Sequence, residues 1–226
     1  MDSSHEHEFI PAANPSESRA PCPALNALAN HGYLPRTGKD ISLSQLTHAI
    51  TTVYNFSYAL AFLLSFTAIL RYGKVSLTGM KVDLASLSQF GPLRIAHQAS
   101  LAHSDVPSHT PDPALVQDLL SRARQNPSGG LDLRDLAATR VDREAQCPKL
   151  DGLHEEIACG ESALAYLTLK AEEAVIPSRR IQQWFGEERL PDGWWQNVRP
   201  RQIIGLAETR RVVFVIREMM TNIKEE

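Results

Sequence analysis

The chain has 226 residues, 43% of them hydrophobic, and a formal charge of −3. That length supports one substantial core, and the scattered Lys and Arg form no basic block, which excludes an extended nucleic-acid surface. Three cysteines, Cys22, Cys147 and Cys159, are too few for a disulfide framework, and at most one pair remains if Cys22 has another task.

Residues 1–18 are polar and rich in Ser, Pro and Asn, and read as a disordered tail ahead of a domain spanning 19–226. No apolar run of the kind a secretory leader needs stands before Ala20, so the expectation is an intracellular, cytoplasmic protein. His5 and His7 are expected in a solvated end rather than at a metal.

Cys22 stands between Pro21 and Pro23. Proline has no N–H and a fixed φ, so Pro23 suits the first helical position and leaves Cys22 as the N-cap. A thiol there faces unpaired amides and the positive helix pole, which favour the anion that ligates a metal or attacks an electrophile. A packed, inert free cysteine is the alternative.

Ser42 caps an expected helix through Tyr54, Asn55 to Ser57 form a joint, and a second helix runs from Tyr58 to Leu70. Val53 to Leu70 is nearly long enough to span a bilayer, but Asn55, Ser57, Ser65 and Thr67 interrupt it and no positive flank follows. Phe56, Phe62 and Phe66 are therefore expected in the core, although they could instead line a pocket. Lys74 to Val82 reads as one brief β-ribbon. Further helices are expected from Asp112 or Pro113 to Arg124, from Leu131 to Glu144, from about Leu153 to Glu173, around Ile181 to Phe185, and from Arg199 to Lys224. The fold class is mostly α, in a single domain with little or no β.

Glu161 shares a helical face with Ile157, Leu164, Ala165 and Thr168. Burial in an apolar stripe raises a carboxyl pKa toward the range useful for proton transfer. A buried ion pair with Arg, or a side chain turned to water, is the competing reading. Glu155 and Glu156 are rivals, but acids near a helix start also serve the dipole. His97 alone reads as a surface or satisfied core histidine. His103, Asp105 and His109 match no metal spacing and read as solvated loop residues.

The run from Pro21 through Cys22, Pro23, Ala24, Leu25, Asn26, Ala27, Leu28, Ala29, Asn30, His31, Gly32, Tyr33, Leu34 and Pro35 to Arg36 resembles the proximal segment of the fungal heme-thiolate peroxidases, the chloroperoxidase and unspecific peroxygenase family. Ala96-His97-Gln98-Ala99-Ser100-Leu101 resembles that family's distal Glu-His-Asp-Ala-Ser-Leu, with both acids replaced. Gly160-Glu161, and Glu188-Arg189-Leu190-Pro191 with Gly193-Trp194 and Arg199-Pro200, are also similar to family segments; the latter read as architectural.

The resemblance implies a chloroperoxidase-like helical fold around heme b, with Cys22 as axial iron ligand and Pro23 beside it. It implies Glu161 as the acid–base group, His97 as its assistant and Ser100 near the cofactor. It also implies hydrogen peroxide and a small organic molecule as substrates, possible halide oxidation, and a role in secondary-metabolite tailoring. The family's magnesium or manganese site loses an acid at Ala96, so that ion is expected to be absent or weakly held. Two other functions remain open: a heme protein with a redox-neutral or ligand-binding role, and a helical interaction protein without heme. The sequence does not define the oligomeric state.

Overall fold

The structure, a computed structural model, describes residues 7–14, 16–77, 79–91, 93–104 and 109–226. Helix α1 (Pro23–Asn30) begins at Cys22, whose extended backbone makes it the N-cap, with Pro23 in the first turn. Asn26, Ala27, Leu28, Ala29 and Asn30 are all buried, so α1 is packed on most sides. β1 (Ile41–Ser42) leads into α2 (Leu43–Tyr54), which starts with a reciprocal capping box: the Gln45 amide donates to Ser42 Oγ and the Ser42 amide donates to Gln45 Oε1.

Asn55 ends α2 in the left-handed conformation, φ 56°. The chain then turns into α3 (Tyr58–Tyr72), capped by Ser57. The joint is fastened to the C-terminal region, because the Ser57 amide donates to Ile204 O at 2.9 Å and the Ile204 amide to Asn55 O at 3.1 Å. Both helices and the joint fall where the sequence places them, with α3 ending two residues later, at Tyr72. No helix among the described residues is long and apolar enough to cross a membrane.

The core expectation for the aromatic side chains of this region is corrected. Phe56 is buried at 8% exposure, but Phe62 and Phe66 are 38% and 43% exposed. They stack with Tyr58 in a surface ladder, ring centroids 6.0 and 5.6 Å apart. α3 packs on α2 along one side only, and its apolar residues outnumber the places that side offers.

β2 (Lys74–Ser76) and β3 (Gly79–Val82) form the expected ribbon, extended by β1 in the antiparallel order β1-β3-β2. A 3₁₀ turn at Leu84–Ser88 follows. α4 (Pro113–Gln125) is capped by Asp112 and buries Val116, Leu119, Leu120 and Ala123, while Leu115 is only half-buried. β4 (Gly130–Leu131) pairs with β5 (Ile176–Pro177). Between them lie α5 (Leu133–Ala145), capped by Asp132, and α6 (Gly152–Leu169), capped by Asp151. α7 (Ser178–Ile181) continues into a π-turn at Gln182–Gly186, and a second π-turn occupies Trp194–Val198. The last helix, α8 (Leu206–Glu225), begins later than Arg199, because Gly205 is its N-cap and the preceding residues run along the α2–α3 joint. Helices dominate, and the strands are two to four residues long, so the fold is mostly α.

One large core holds α1–α4, parts of α6 and the segment 181–204. A smaller cluster, Ala137, Cys159, Ala163, Val213, Ile216 and Met220, joins α5 and α6 to α8. The N-terminal segment runs against this body: the Ile10 amide donates to Asn30 O at 2.9 Å, and buried Arg19 holds Asn30 Oδ1 through Nε and Nη2. Gly38 closes the same corner at φ +66°, where a Cβ would lie 1.9 Å from Ser18 O, so only glycine fits. His7 is exposed but stacked on Tyr33 at 3.8 Å, whereas His5 and Asp105 lie outside the described residues.

Candidate active site

Cys22 is half-buried, and its sulfur closes no capping hydrogen bond. Burial pushes the thiol pKa up to about 12; the Leu25 and Ala24 amides at the helix start pull it down, and the Glu161 charge pushes it further up. Two inferences follow. The helix-start amides favour the anion but do not outweigh burial. Cys22 and Glu161 also lie close enough for the carboxylate to act on the thiol, although one caps α1 and the other sits in α6.

Behind Cys22 stands Tyr54 at the end of α2, fully buried, its hydroxyl donating to Ala24 O at 2.6 Å. Asn26, one turn into α1, brackets the preceding chain: it accepts from the Ala20 amide and donates to Ala20 O. It also donates to Glu188 Oε1 at 2.6 Å, and Asn30 donates to the Glu188 carbonyl at 3.0 Å. The Asn residues of the Cys22 run therefore anchor its helix. The Glu-Arg-Leu-Pro segment supplies their acceptor.

Glu161 is enclosed by protein, yet 51% of its side-chain surface stays accessible. The carboxylate therefore sits at the accessible edge of the packed helix face. The α6 face around it agrees: Ile157, Gly160 and Leu164 are half-buried, and a Cβ built on Gly160 would meet nothing within 4 Å. Glu155 and Glu156 lie nearer the helix start, and Glu156 is taken up by Arg217 at 2.8 Å. Cys159, two residues before Glu161, points the other way, its sulfur 3.7 Å from Met220 Sδ. It does not share the face that Glu161 occupies.

His97 meets Glu161. Its Nε2 lies 3.3 Å from Glu161 Oε2, and its Nδ1 lies 2.6 Å from the Gln98 carbonyl, with the imidazole 3% exposed. With Glu161 ionised both partners accept, so both ring nitrogens donate and the ring is an imidazolium. Burial works against that charge, but the Glu161 carboxylate and the Gln98 carbonyl outweigh it and the His97 pKa rises. Burial likewise pushes Glu161 up, and His97, helped by Arg140, reverses it so that the net shift is downward. The expected upward shift of Glu161 is thus corrected. Its stripe contains a cation partner that comes from another part of the chain.

The segment carrying His97 is held from α5. Arg140, fully buried, donates through Nη1 to Ala99 O at 2.5 Å, and Arg143 Nε donates to Ser100 O at 2.9 Å. Ala99 between them adopts φ 63°. Ser100 Oγ accepts from the amides of Ala102 and His103 at 3.4 and 3.3 Å, so in this geometry the hydroxyl shapes the turn. The Ala96 amide donates to Tyr72 Oη at 2.9 Å. Among the described residues no three His, Cys, Asp or Glu side chains stand together as a metal site.

His103 corrects another expectation: it is 1% exposed, not a solvated loop residue. Its Nε2 lies 3.5 Å from Glu188 Oε1, and among the described residues neither ring nitrogen closes a hydrogen bond. His109 is exposed, as its loop position suggests. Sequence reasoning treated Glu188 as part of a packed turn and missed its charge partners.

The mostly helical body thus carries a helix-capping thiol and a His97–Glu161 pair contributed by separate segments. A profile of the family described as Peroxidase, family 2, matches residues 7–199, and the chain belongs to that family. It is 63% identical over 38 residues to a chloroperoxidase of Leptoxyphium fumago, covering 17% of this chain and 10% of that protein. It is 44% identical over 66 residues to the aromatic peroxidase fscJ of Fusarium equiseti, 29% and 15% of the two chains. It is 45% identical over 53 residues to an aromatic peroxygenase of Coprinellus radians, 24% and 20% of the two chains. The matched segments span a fifth or less of these relatives.

Proposed function

We propose that this chain is a heme-thiolate peroxidase or peroxygenase that uses hydrogen peroxide to oxidise or oxygenate a small organic molecule, as a tailoring step in secondary metabolism. The observations that carry the reading are the family match over residues 7–199, the thiol held at a proline-fixed helix start, and the His97–Glu161 pair at 3.3 Å. The residues present fit heme b. Cys22 offers one soft donor for iron, the half-buried face of α6 around Gly160 leaves room for a flat ring, and Glu161 stands free of any ligand cluster.

Heme, when bound, supplies an iron on which peroxide is activated and which carries the oxidising equivalents. Cys22 would hold the heme iron through its sulfur, and Pro23 fixes the helix start at which that thiol stands. Glu161, kept ionised by its pairing with His97, would accept a proton from hydrogen peroxide at Oε2 and return it to the oxygen that departs as water. His97 acts through Glu161 by keeping the carboxylate charged and aimed. Gln98 contributes its carbonyl, and its side chain adds no charge. Ser100 supports this loop near the cofactor.

Residues 19–226 form the cofactor-binding domain in this reading. A heme protein with a ligand-binding role is the alternative, and the Cys22–Glu161 arrangement favours catalysis over it.

The test is the absorption spectrum of heme-loaded protein, reduced under carbon monoxide. The expected result is a long-wavelength Soret band typical of a thiolate opposite carbon monoxide, together with peroxide-dependent turnover. A histidine-type spectrum, or no heme uptake, would remove the proposal.

A further inference from the structure

A chain of aromatic rings leads from the Cys22 side of the molecule to its surface. Tyr54 donates to the carbonyl of Ala24, two residues after Cys22, and lies within reach of the Cys22 charge. Trp194 stands edge-on to Tyr54, centroids 5.8 Å apart at 89°, and Trp184 touches both rings, at 5.5 Å from Tyr54 and 6.3 Å from Trp194. Trp194 is buried at 4% exposure, with its indole N–H donating to Val53 O at 3.1 Å. It also forms part of the wall of a surface hollow of about 400 Å³, together with Tyr33, Trp195, His31 and Pro191. On that wall Trp195 is half exposed and donates from Nε1 to Tyr33 Oη at 3.2 Å.

We infer that this hollow is a second oxidation site, for phenols and similar aromatic electron donors, connected through Trp194 and Tyr54 to the centre at Cys22. The inference rests on the proposed peroxidase function, which supplies the oxidant. Indole and phenol rings are the side chains most readily oxidised by one electron, and edge contact between them shortens each electron step. Arg199 lies over the Trp195 ring at 5.4 Å and makes positive charge there costly. Trp194, without such a neighbour, is the ring that holds the electron vacancy next to the hollow. Tyr54 keeps its proton on the Ala24 carbonyl and serves as a bridge. Half-exposed Trp195 gives a bound aromatic donor a flat surface to stack against, beside Tyr33, whose ring already stacks on His7.

The chemistry balances. Each phenol loses one electron to Trp194 and one proton to solvent, becoming a phenoxyl radical. Two phenols thereby supply the two electrons and two protons that convert one hydrogen peroxide into two waters. No oxygen atom enters the phenol, which distinguishes this site from an oxygenation site at Cys22.

The experiment uses heme-loaded full-length protein and two donors: a phenol coupled to polyethylene glycol, which the polymer keeps from the heme at Cys22, and methyl phenyl sulfide, which can reach it. In Trp194→Phe the peroxide-driven rate on the tethered phenol should fall about tenfold or more, while sulfide oxygenation stays within about twofold. Freeze-quench electron paramagnetic resonance after peroxide without donor should show a tryptophan radical in the parent protein and none in Trp194→Phe. Half-exposed Trp195 permits a second variant with little risk to folding, and Trp195→Ala should raise KM for the tethered phenol. An unchanged phenol rate and an unchanged radical in Trp194→Phe would overturn the relay. Sulfide turnover with no tethered-phenol oxidation in the parent protein would overturn the relay alone, whereas no turnover of either donor would overturn the Cys22 reading and the relay with it.

Discussion

His97 holds its imidazole between two acceptors, with Nε2 at 3.3 Å from Glu161 Oε2 and Nδ1 at 2.6 Å from the Gln98 carbonyl. An imidazolium so placed has one function the chain can use: it keeps Glu161 ionised inside a protein enclosure that would otherwise protonate it. The family's acids at this loop are replaced by Ala96 and Gln98, yet the pair itself is intact.

Glu161→Gln keeps the size and removes the base. Peroxide-dependent turnover should fall by a factor on the order of 10²–10⁴, the usual worth of a positioned acid–base group, with heme content unchanged. Stopped-flow measurement of peroxide consumption on heme-loaded protein reads this directly, and an unaltered rate would remove Glu161 from the mechanism.

The pair also sets a pH window. Glu161 lies below its ordinary 4.5, so its contribution to stability is complete above that value and is lost as pH falls through the lowered pKa. His97 lies above its ordinary 6.5, so its contribution is complete below that value and is lost as pH rises through the raised pKa. In His97→Gln the burial of Glu161 is no longer opposed by the cation, and the acidic limb of the kcat–pH profile should move to higher pH. An acidic limb that stays in place would show that His97 does not tune the carboxylate.

Cys22→Ala should abolish the thiolate-type carbon monoxide spectrum and sharply lower heme retention, while the circular dichroism of the helices persists. Retained heme with an unchanged spectrum would assign the axial position to another residue.

Dialysed, heme-loaded protein should contain less than stoichiometric magnesium and manganese by atomic emission, because Ala96 offers no oxygen ligand and Ser100 Oγ is turned to backbone amides. Stoichiometric metal would show that other oxygens replace the missing acid.

Asn26 carries three hydrogen bonds with no exposure. Asn26→Ala strands the Ala20 amide and carbonyl and one oxygen of Glu188, and should cost roughly 2–4 kcal/mol. Urea unfolding of the two proteins measures it; a loss under about 0.5 kcal/mol, the scale of a surface substitution, would mean that the bracket contributes little.

The features legible in the sequence were those that local chemistry writes. Pro-Cys-Pro announces an N-cap because proline has no amide, and Ser42 and Asp112 announce helix starts because their oxygens satisfy orphan amides. Glu161 was visible through helical periodicity. The direction of its pKa was not, because the cation that decides it comes from the 97–100 loop, and α5 places that loop. Phe62 and Phe66 were misjudged for the same reason: an apolar run shows that a helix has apolar residues, but not how many neighbours will cover them. The burial of His103 against Glu188 likewise depends on distant segments meeting.

The Glu188 contacts also bear on the order in which the molecule is built. Asn26 and Asn30 reach Glu188 across 162 and 158 positions of sequence. During synthesis the helix that carries Cys22 emerges first and waits for its anchor until most of the described domain has followed. Chains cut before Glu188 would display Pro21-Cys22-Pro23 and still lack the partner that holds α1. Cofactor capture, on the function proposed, belongs to the finished domain and not to the nascent N-terminal segment.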